Sequence, residues 1–160
     1  MPFRKLFVYA DASVYPHATG LGAVIKDERG TILAWRNDVR HAMSSNEAEY
    51  HALMFALEQV RIFSPREIEV FSDSKLVIEQ LRGAYRVNHA NLRELYARAK
   101  KMTRGFGKVT FTHISRERNQ LADAIADDAV RLERAQRRLA AKKREGGRGS
   151  VGRRGEEVTG

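Results

Sequence analysis

Phe3-Arg4-Lys5-Leu6-Phe7-Val8-Tyr9-Ala10-Asp11-Ala12-Ser13 reads as a β-strand of aromatic and aliphatic residues that ends on a carboxylate. Alternation puts Phe3, Phe7 and Tyr9 on one face with Lys5 and Asp11, and Leu6, Val8 and Ala10 on the other. Both faces are largely apolar, so a central strand covered on each side is expected. Asp11 then falls where a buried strand runs out, the place at which α/β sheets put ligands. The competing reading is an ordinary turn, since Asp readily starts one.

Beyond Ser13, His17 to Gly22 reads as a loop leading into Ala23-Val24-Ile25. Asp27-Glu28-Arg29-Gly30 is a turn, and Thr31 to Trp35 a second strand of a hairpin. Together with the opening strand this predicts an antiparallel meander of three. Asn37 to Ser45 has mixed polarity and reads as a loop. The period then changes: Glu49, Leu53, Ala56, Leu57 and Val60 recur at helical spacing, after the N-cap candidates Ser44, Ser45 and Asn46 and before Ser64-Pro65. Ile68 to Phe71 is a short strand followed by Asp73. Lys75 to Leu81 and Leu92 to Met102 are helices, and Val109 to Thr112 is a last strand. A final helix from Asn119 to about Leu139 carries Leu121, Ala122, Ile125, Ala129 and Leu132 on one side. The order predicts an α/β layer fold on a mixed sheet.

The length of 160 residues allows one domain with a sizeable core. No cysteine is present, which excludes disulfides and thiolate metal sites. The apolar run Leu6 to Ala10 is too short for a signal-peptide core or a membrane span. A soluble, cytoplasmic, monomeric protein is the expectation. The net charge of +9 is unevenly placed: residues 131–154 hold ten Lys/Arg against two Glu. Such a block attracts polyanions at long range, so contact with nucleic acid is expected of it. From Gly146 on, the sequence has no periodicity and reads as flexible. The expected division is a folded domain over 1–132, a basic helical extension over 133–145 and a Gly/Arg-rich tail over 146–160.

Four acids fall where this layout can gather them: Asp11, Glu49, Asp73 and Asp123. Asp11 and Asp73 each follow a strand. Parallel neighbours would bring them within roughly 5 Å, the strand spacing. At about 100° per residue, Glu49 lies on the buried stripe of its helix, and Glu47 lies about 200° away on the polar side. Glu49 could instead be a capping partner of Asn46. That would not explain why an acid heads a buried stripe, since acids are rarely buried unless paired or bound to metal. Asp123 sits at the edge of the final helix's stripe. Asp127 and Asp128 compete with it, and periodicity alone leaves open a site role or a favourable acid near a helix N-terminus. Clustered carboxylates cannot all ionise unaided. A hard divalent cation resolves this, and oxygen donors suit magnesium or manganese. Two such ions support hydrolysis of a phosphodiester.

Asp11-Ala12-Ser13, Ser44-Ser45-Asn46-Glu47-Ala48-Glu49-Tyr50, Ser72-Asp73-Ser74-Lys75 and Asn119-Gln120-Leu121-Ala122-Asp123, in this order, resemble the type 1 ribonuclease H domain, over about residues 3–132. The resemblance implies a five-stranded mixed sheet, three antiparallel strands and then two parallel, with helices on both faces. It implies cleavage of the RNA strand of RNA–DNA hybrids with two Mg²⁺ or Mn²⁺ ions. By the same resemblance Asp11, Glu49, Asp73 and Asp123 are the catalytic metal ligands, Asp123 being preferred over Asp127. Ser13, Ser44, Asn46, Ser74 and Asn119 become the nucleic-acid contacts, although Asn46 and Ser74 also stand where helix caps belong.

Two departures mark a shorter, reverse-transcriptase-like branch. Leu81 to Asn88 runs straight to the next helix, with no basic protrusion. The loop Ser115 to Asn119 lacks the histidine found there in many members, and His113 reads as structural. The competing functional readings are a nucleic-acid-binding module without chemistry and another nuclease on the same fold.

Overall fold

The register between two parallel strands places the site. In β1 (Lys5–Val14) and β4 (Glu67–Ser72), Lys5 pairs with Glu67 and the ladder runs to Tyr9 with Phe71. Two residues further along the same register and on the same face stand Asp11 and Asp73. β2 (Thr19–Lys26) pairs antiparallel with β1, and β3 (Ile32–Arg40) antiparallel with β2. β5 (Lys108–His113) pairs parallel with β4, giving the order β3-β2-β1-β4-β5. The computed structural model describes residues 3–151, with side chains through Arg148. The architecture is the expected five-stranded mixed sheet.

α1 (Ser45–Arg61) packs on β1 and β2. It joins Leu6, Val8 and Ala10 to Leu53, Ala56, Leu57 and Val60 in one core, which α2 (Lys75–Leu81) and α3 (Ala90–Thr103) extend. α4 (Gln120–Val151) starts on the opposite face, where Ala122 and Ile125 meet Val24 and Tyr9. A 3₁₀ turn, Arg116–Asn119, precedes it. The chain forms two units, divided after Val130. In the second, Leu132 and Leu139 are exposed and Arg137 pairs with Glu133 at 2.5 Å.

Several local expectations change. β1 continues past Asp11 to Val14, because β2 still pairs with it there; only the pairing with β4 has ended. Its second face is half-covered, as Phe7 and Tyr9 lie against Phe71 with ring centroids 6.2 and 4.8 Å apart. β2 begins at Thr19, inside the expected loop. Its glycines serve a close approach: a Cβ on Gly20 would lie 2.0 Å from the Ala126 carbonyl oxygen, and one on Gly22 2.4 Å from that of Ala122. β3 runs to Arg40 through the second expected loop, paired along β2, and Asn37 there donates to the Ile125 carbonyl at 3.1 Å. Leu121 is exposed, and the buried stripe of α4 is Ala122, Ile125, Ala126, Ala129 and Val130. Helix continues through Gly146 to Val151, where aperiodic chain was expected. Once a long helix is nucleated, each added residue gains a hydrogen bond without a new nucleation cost. The rest of that tail, 152–160, lies outside the described residues. No described helix is long and apolar enough to cross a membrane.

Candidate metal centre

Three of the predicted acids converge. Carboxylate oxygens of Asp11, Glu49 and Asp73 lie within 4.8 Å of one another. β1 delivers Asp11, which is 4% exposed. Asp73 comes from the connection between β4 and α2. Glu49 descends from the first turn of α1, whose cap is Ser44: its Oγ accepts from the Glu47 N–H at 3.2 Å and donates to Glu47 Oε1 at 3.0 Å. Glu47 therefore takes the capping role considered for Glu49, and Asn46 is not the cap. Asp123 lines the same cleft, of about 250 Å³, and its charge adds to the upward shift of Asp11.

The predicted nucleic-acid contacts divide. Asn46 is exposed, and Ser44 and Ser74 each cap a helix, Ser74 Oγ accepting from the Val77 N–H at 3.4 Å. Ser13 lines the cleft. Asn119, at 2% exposure, lies inside the protein. Its amide nitrogen donates to the Ala10 carbonyl at 2.9 Å, and its side chain helps hold the Asp73 carboxyl down. It takes up a β1 carbonyl just past the last β1–β4 pair and orients the acid opposite.

Burial drives the electrostatics. It pushes Asp11 up to about 8, helped by the charge of Asp73 and opposed by the Ala12 N–H. Burial also raises Glu49 well above the usual carboxylate range, with the charges of Asp11 and Asp73 adding to it. Asp73 is raised by burial too, against the Arg116 guanidinium, the Asn119 hydrogen bond and His113, which hold it down. Arg116 is the residue the sequence did not single out. It is the one cation lining the cleft among the described residues. His113, expected to be structural, is exposed at the end of β5 and acts on Asp73 through its charge. Neither has a signal in periodicity, because both act from a strand end or a turn.

The donor set fits a divalent cation. Glu49 Oε2 is buried with no hydrogen-bond partner, an expense a protein rarely tolerates without a ligand for that atom. Carboxylates this close hold their protons more tightly than usual unless a cation replaces them.

That replacement has a measurable consequence. Without metal, Asp11 holds its proton to about pH 8, whereas an unfolded-chain carboxyl releases it near pH ~4. The folded state binds the extra proton between those values, so the Asp11 contribution to stability is full below pH ~4 and is lost as pH rises through about 8. In EDTA, thermal melts should show Tm falling across that window, with a smaller fall in Asp11→Asn. Added Mg²⁺ should raise Tm more at pH 8 than at pH 6, because only deprotonated carboxylates bind it. An equal fall in the variant would assign the effect to other groups.

A family model described as reverse transcriptase-like matches residues 10–129. The chain belongs to the reverse transcriptase-like ribonuclease H family. Among relatives in this family is ribonuclease HI of Halobacterium salinarum, 37% identical over 115 residues, which cover 72% of this chain and 58% of that protein. Another is the bifunctional protein Rv2228c of Mycobacterium tuberculosis, 34% identical over 116 residues that make up 32% of its length. The chain thus spans between a third and three-fifths of these relatives. A solved family member, LC11-RNase H1 in complex with RNA/DNA hybrid, superposes with a TM-score of 0.76 at 30% identity, covering 80% of this chain and 98% of that one. No helix intervenes between α2 and α3, as the run from Leu81 to Asn88 predicts.

Proposed function

We propose that the chain is an endoribonuclease that hydrolyses the RNA strand of RNA–DNA hybrids, with Asp11, Glu49, Asp73 and Asp123 as ligands of two Mg²⁺ or Mn²⁺ ions. The observation that carries this reading is the convergence of the first three acids within 4.8 Å, one of them with a buried, unpartnered oxygen. Bound there, such ions supply an activated water and charge stabilisation for the oxygen leaving phosphorus. The remaining work falls to the chain. Asn119 orients Asp73. Arg116 offers a planar, permanently charged donor group suited to a phosphate of the bound strand. Ser13 at the cleft wall and exposed Asn46 meet the sugar edge, and selection for hybrid comes from 2′-hydroxyl contacts on one strand and backbone shape on the other. Ser44 and Ser74 contact the DNA strand while still capping their helices. Residues 1–132 form the catalytic domain.

Cleavage of a labelled hybrid, duplex DNA and duplex RNA with Mg²⁺ or Mn²⁺ tests the proposal. Only the hybrid should be cut. Equal cutting of all three would make this a different nuclease, and tight hybrid binding without cleavage would make it a binding module.

The basic extension beyond residue 132 adds a handle for the phosphate backbone. Arg134, Arg138 and Lys142 recur at four-residue intervals along α4 and are exposed, so they share one helical side. Deleting residues 141–160 should weaken hybrid binding and flatten its dependence on salt concentration, because fewer counterions are released. An unchanged salt slope would leave the segment as a spacer.

A further inference from the structure

The first turns of α4 cross β1 and β2 in matched rows. Asp11, Ser13 and Tyr15 alternate onto one side of the chain, and Asp11 pairs with Gly22 while Ser13 pairs with Gly20. The carbonyl of Ala122 lies where a Gly22 Cβ would be, and that of Ala126 where a Gly20 Cβ would be. Two strand residues advance about 6.6 Å and four helical residues about 6 Å. One row of the sheet therefore meets Ala122 and Asp123, and the next meets Ala126 and Asp127. In the first row Asp123 lines the cleft beside Asp11. In the second, Asp127 Oδ1 accepts from Ser13 Oγ at 3.0 Å and from the Tyr15 hydroxyl. Tyr15 is anchored in turn, its N–H donating to the Ala18 carbonyl at 2.9 Å.

The glycines let the helix come close, but contacts between small smooth surfaces do not stop it sliding along the strand. Hydrogen bonds to a carboxylate do, because they are directional and strong. We infer that Asp127 is a positioning residue that fixes the register of α4 on β1 through Ser13 and Tyr15, and so sets how Asp123 faces Asp11. The inference rests on the reading of Asp123 as a metal ligand. It gives the second α4 acid facing this strand a task other than holding metal.

Calorimetric titration of the full chain with Mn²⁺ tests it, alongside hybrid cleavage. The variants are Asp123→Asn, Asp127→Ala, Asp127→Asn and the double change Ser13→Ala/Tyr15→Phe, all assayed well below their melting temperatures. Supporting groups of this kind typically change metal affinity by about 10-fold or more. Asp127→Ala and the Ser13→Ala/Tyr15→Phe pair should both weaken Mn²⁺ binding by that factor. Asp127→Asn, which keeps an acceptor oxygen, should recover most of it. If Asp127 were a ligand, Asp127→Asn would lose affinity and the Ser13/Tyr15 pair would retain it, which would overturn the inference. Wild-type affinity in Asp127→Ala would also overturn it. An Asp123→Asn chain that binds Mn²⁺ like wild type would instead remove the ligand assignment on which the inference stands.

Discussion

Asp73→Asn should lose hydrolysis of the labelled hybrid while its metal-free form melts at a higher temperature than wild type. The same pair of outcomes is expected of Asp11→Asn. Both acids sit in a buried cluster whose members push one another's proton affinities upward. Asparagine cannot ionise in the buried cluster, so the apo chain gains stability at about pH 8 and above, where the acid would have to give up its proton. The bound ions lose an anionic ligand, and cleavage should fall by at least about 10²–10³-fold, the scale on which removal of one charge-stabilising group in an active site acts. Activity lost together with stability gained is the signature of a site held against its own repulsion. Steady-state cleavage and melts in EDTA measure the two halves. Substantial residual cleavage in both variants would dissolve the metal assignment.

Gly20→Ala should harm both stability and catalysis, although it adds one methyl group far from any reacting atom. The new Cβ would stand 2.0 Å from the Ala126 carbonyl oxygen and 3.0 Å from Val130 Cγ2. The first of these is helix backbone, so α4 must retreat by about 1.5 Å to reach ordinary contact distance. Overpacking of this kind costs about 1–3 kcal/mol, and Tm should fall by about 2–4 °C for each kcal/mol in a chain of this size. The retreat carries Asp123 away from Asp11, and a displacement of that order can lower the rate about 10²-fold. Gly30→Ala is the contrast. Gly30 has φ +80° with nothing near its Cβ position, so alanine there strains the backbone, lowers Tm and leaves cleavage at 25 °C unchanged. Equal cleavage in the two variants would separate the helix approach from the site.

The sequence revealed the acids more readily than their supports. Asp11 and Asp73 were legible because strands advertise themselves by alternation, and Glu49 because an acid on a buried helical stripe demands a reason. The sheet followed from the order of periodic segments. Gly20 and Gly22 were misread as loop residues. A glycine that admits a helix carbonyl and a glycine that makes a turn look alike until the partner helix is placed. Asn119 stands in the sequence as a nucleic-acid contact implied by resemblance, and the structure shows that it is also buried, donating to the Ala10 carbonyl. The role of Asp127 depends on a contact with β1 114 residues away in the chain, and that of Arg116 on the charges of Glu49 and Asp73, which lie on other elements. No local pattern encodes such a contact.

The placement of the acids also says when the protein can first act. Asp11 and Asp123 stand far apart in the sequence, on β1 and α4, and the last joins the cleft only when α4 settles over the glycines of β2. During synthesis, a nascent chain that has emerged only as far as β5 can lay down the sheet but lacks its fourth carboxylate. The proposed activity therefore waits for α4, and a fragment ending before residue 123 would carry the sheet and three of the acids without the fourth.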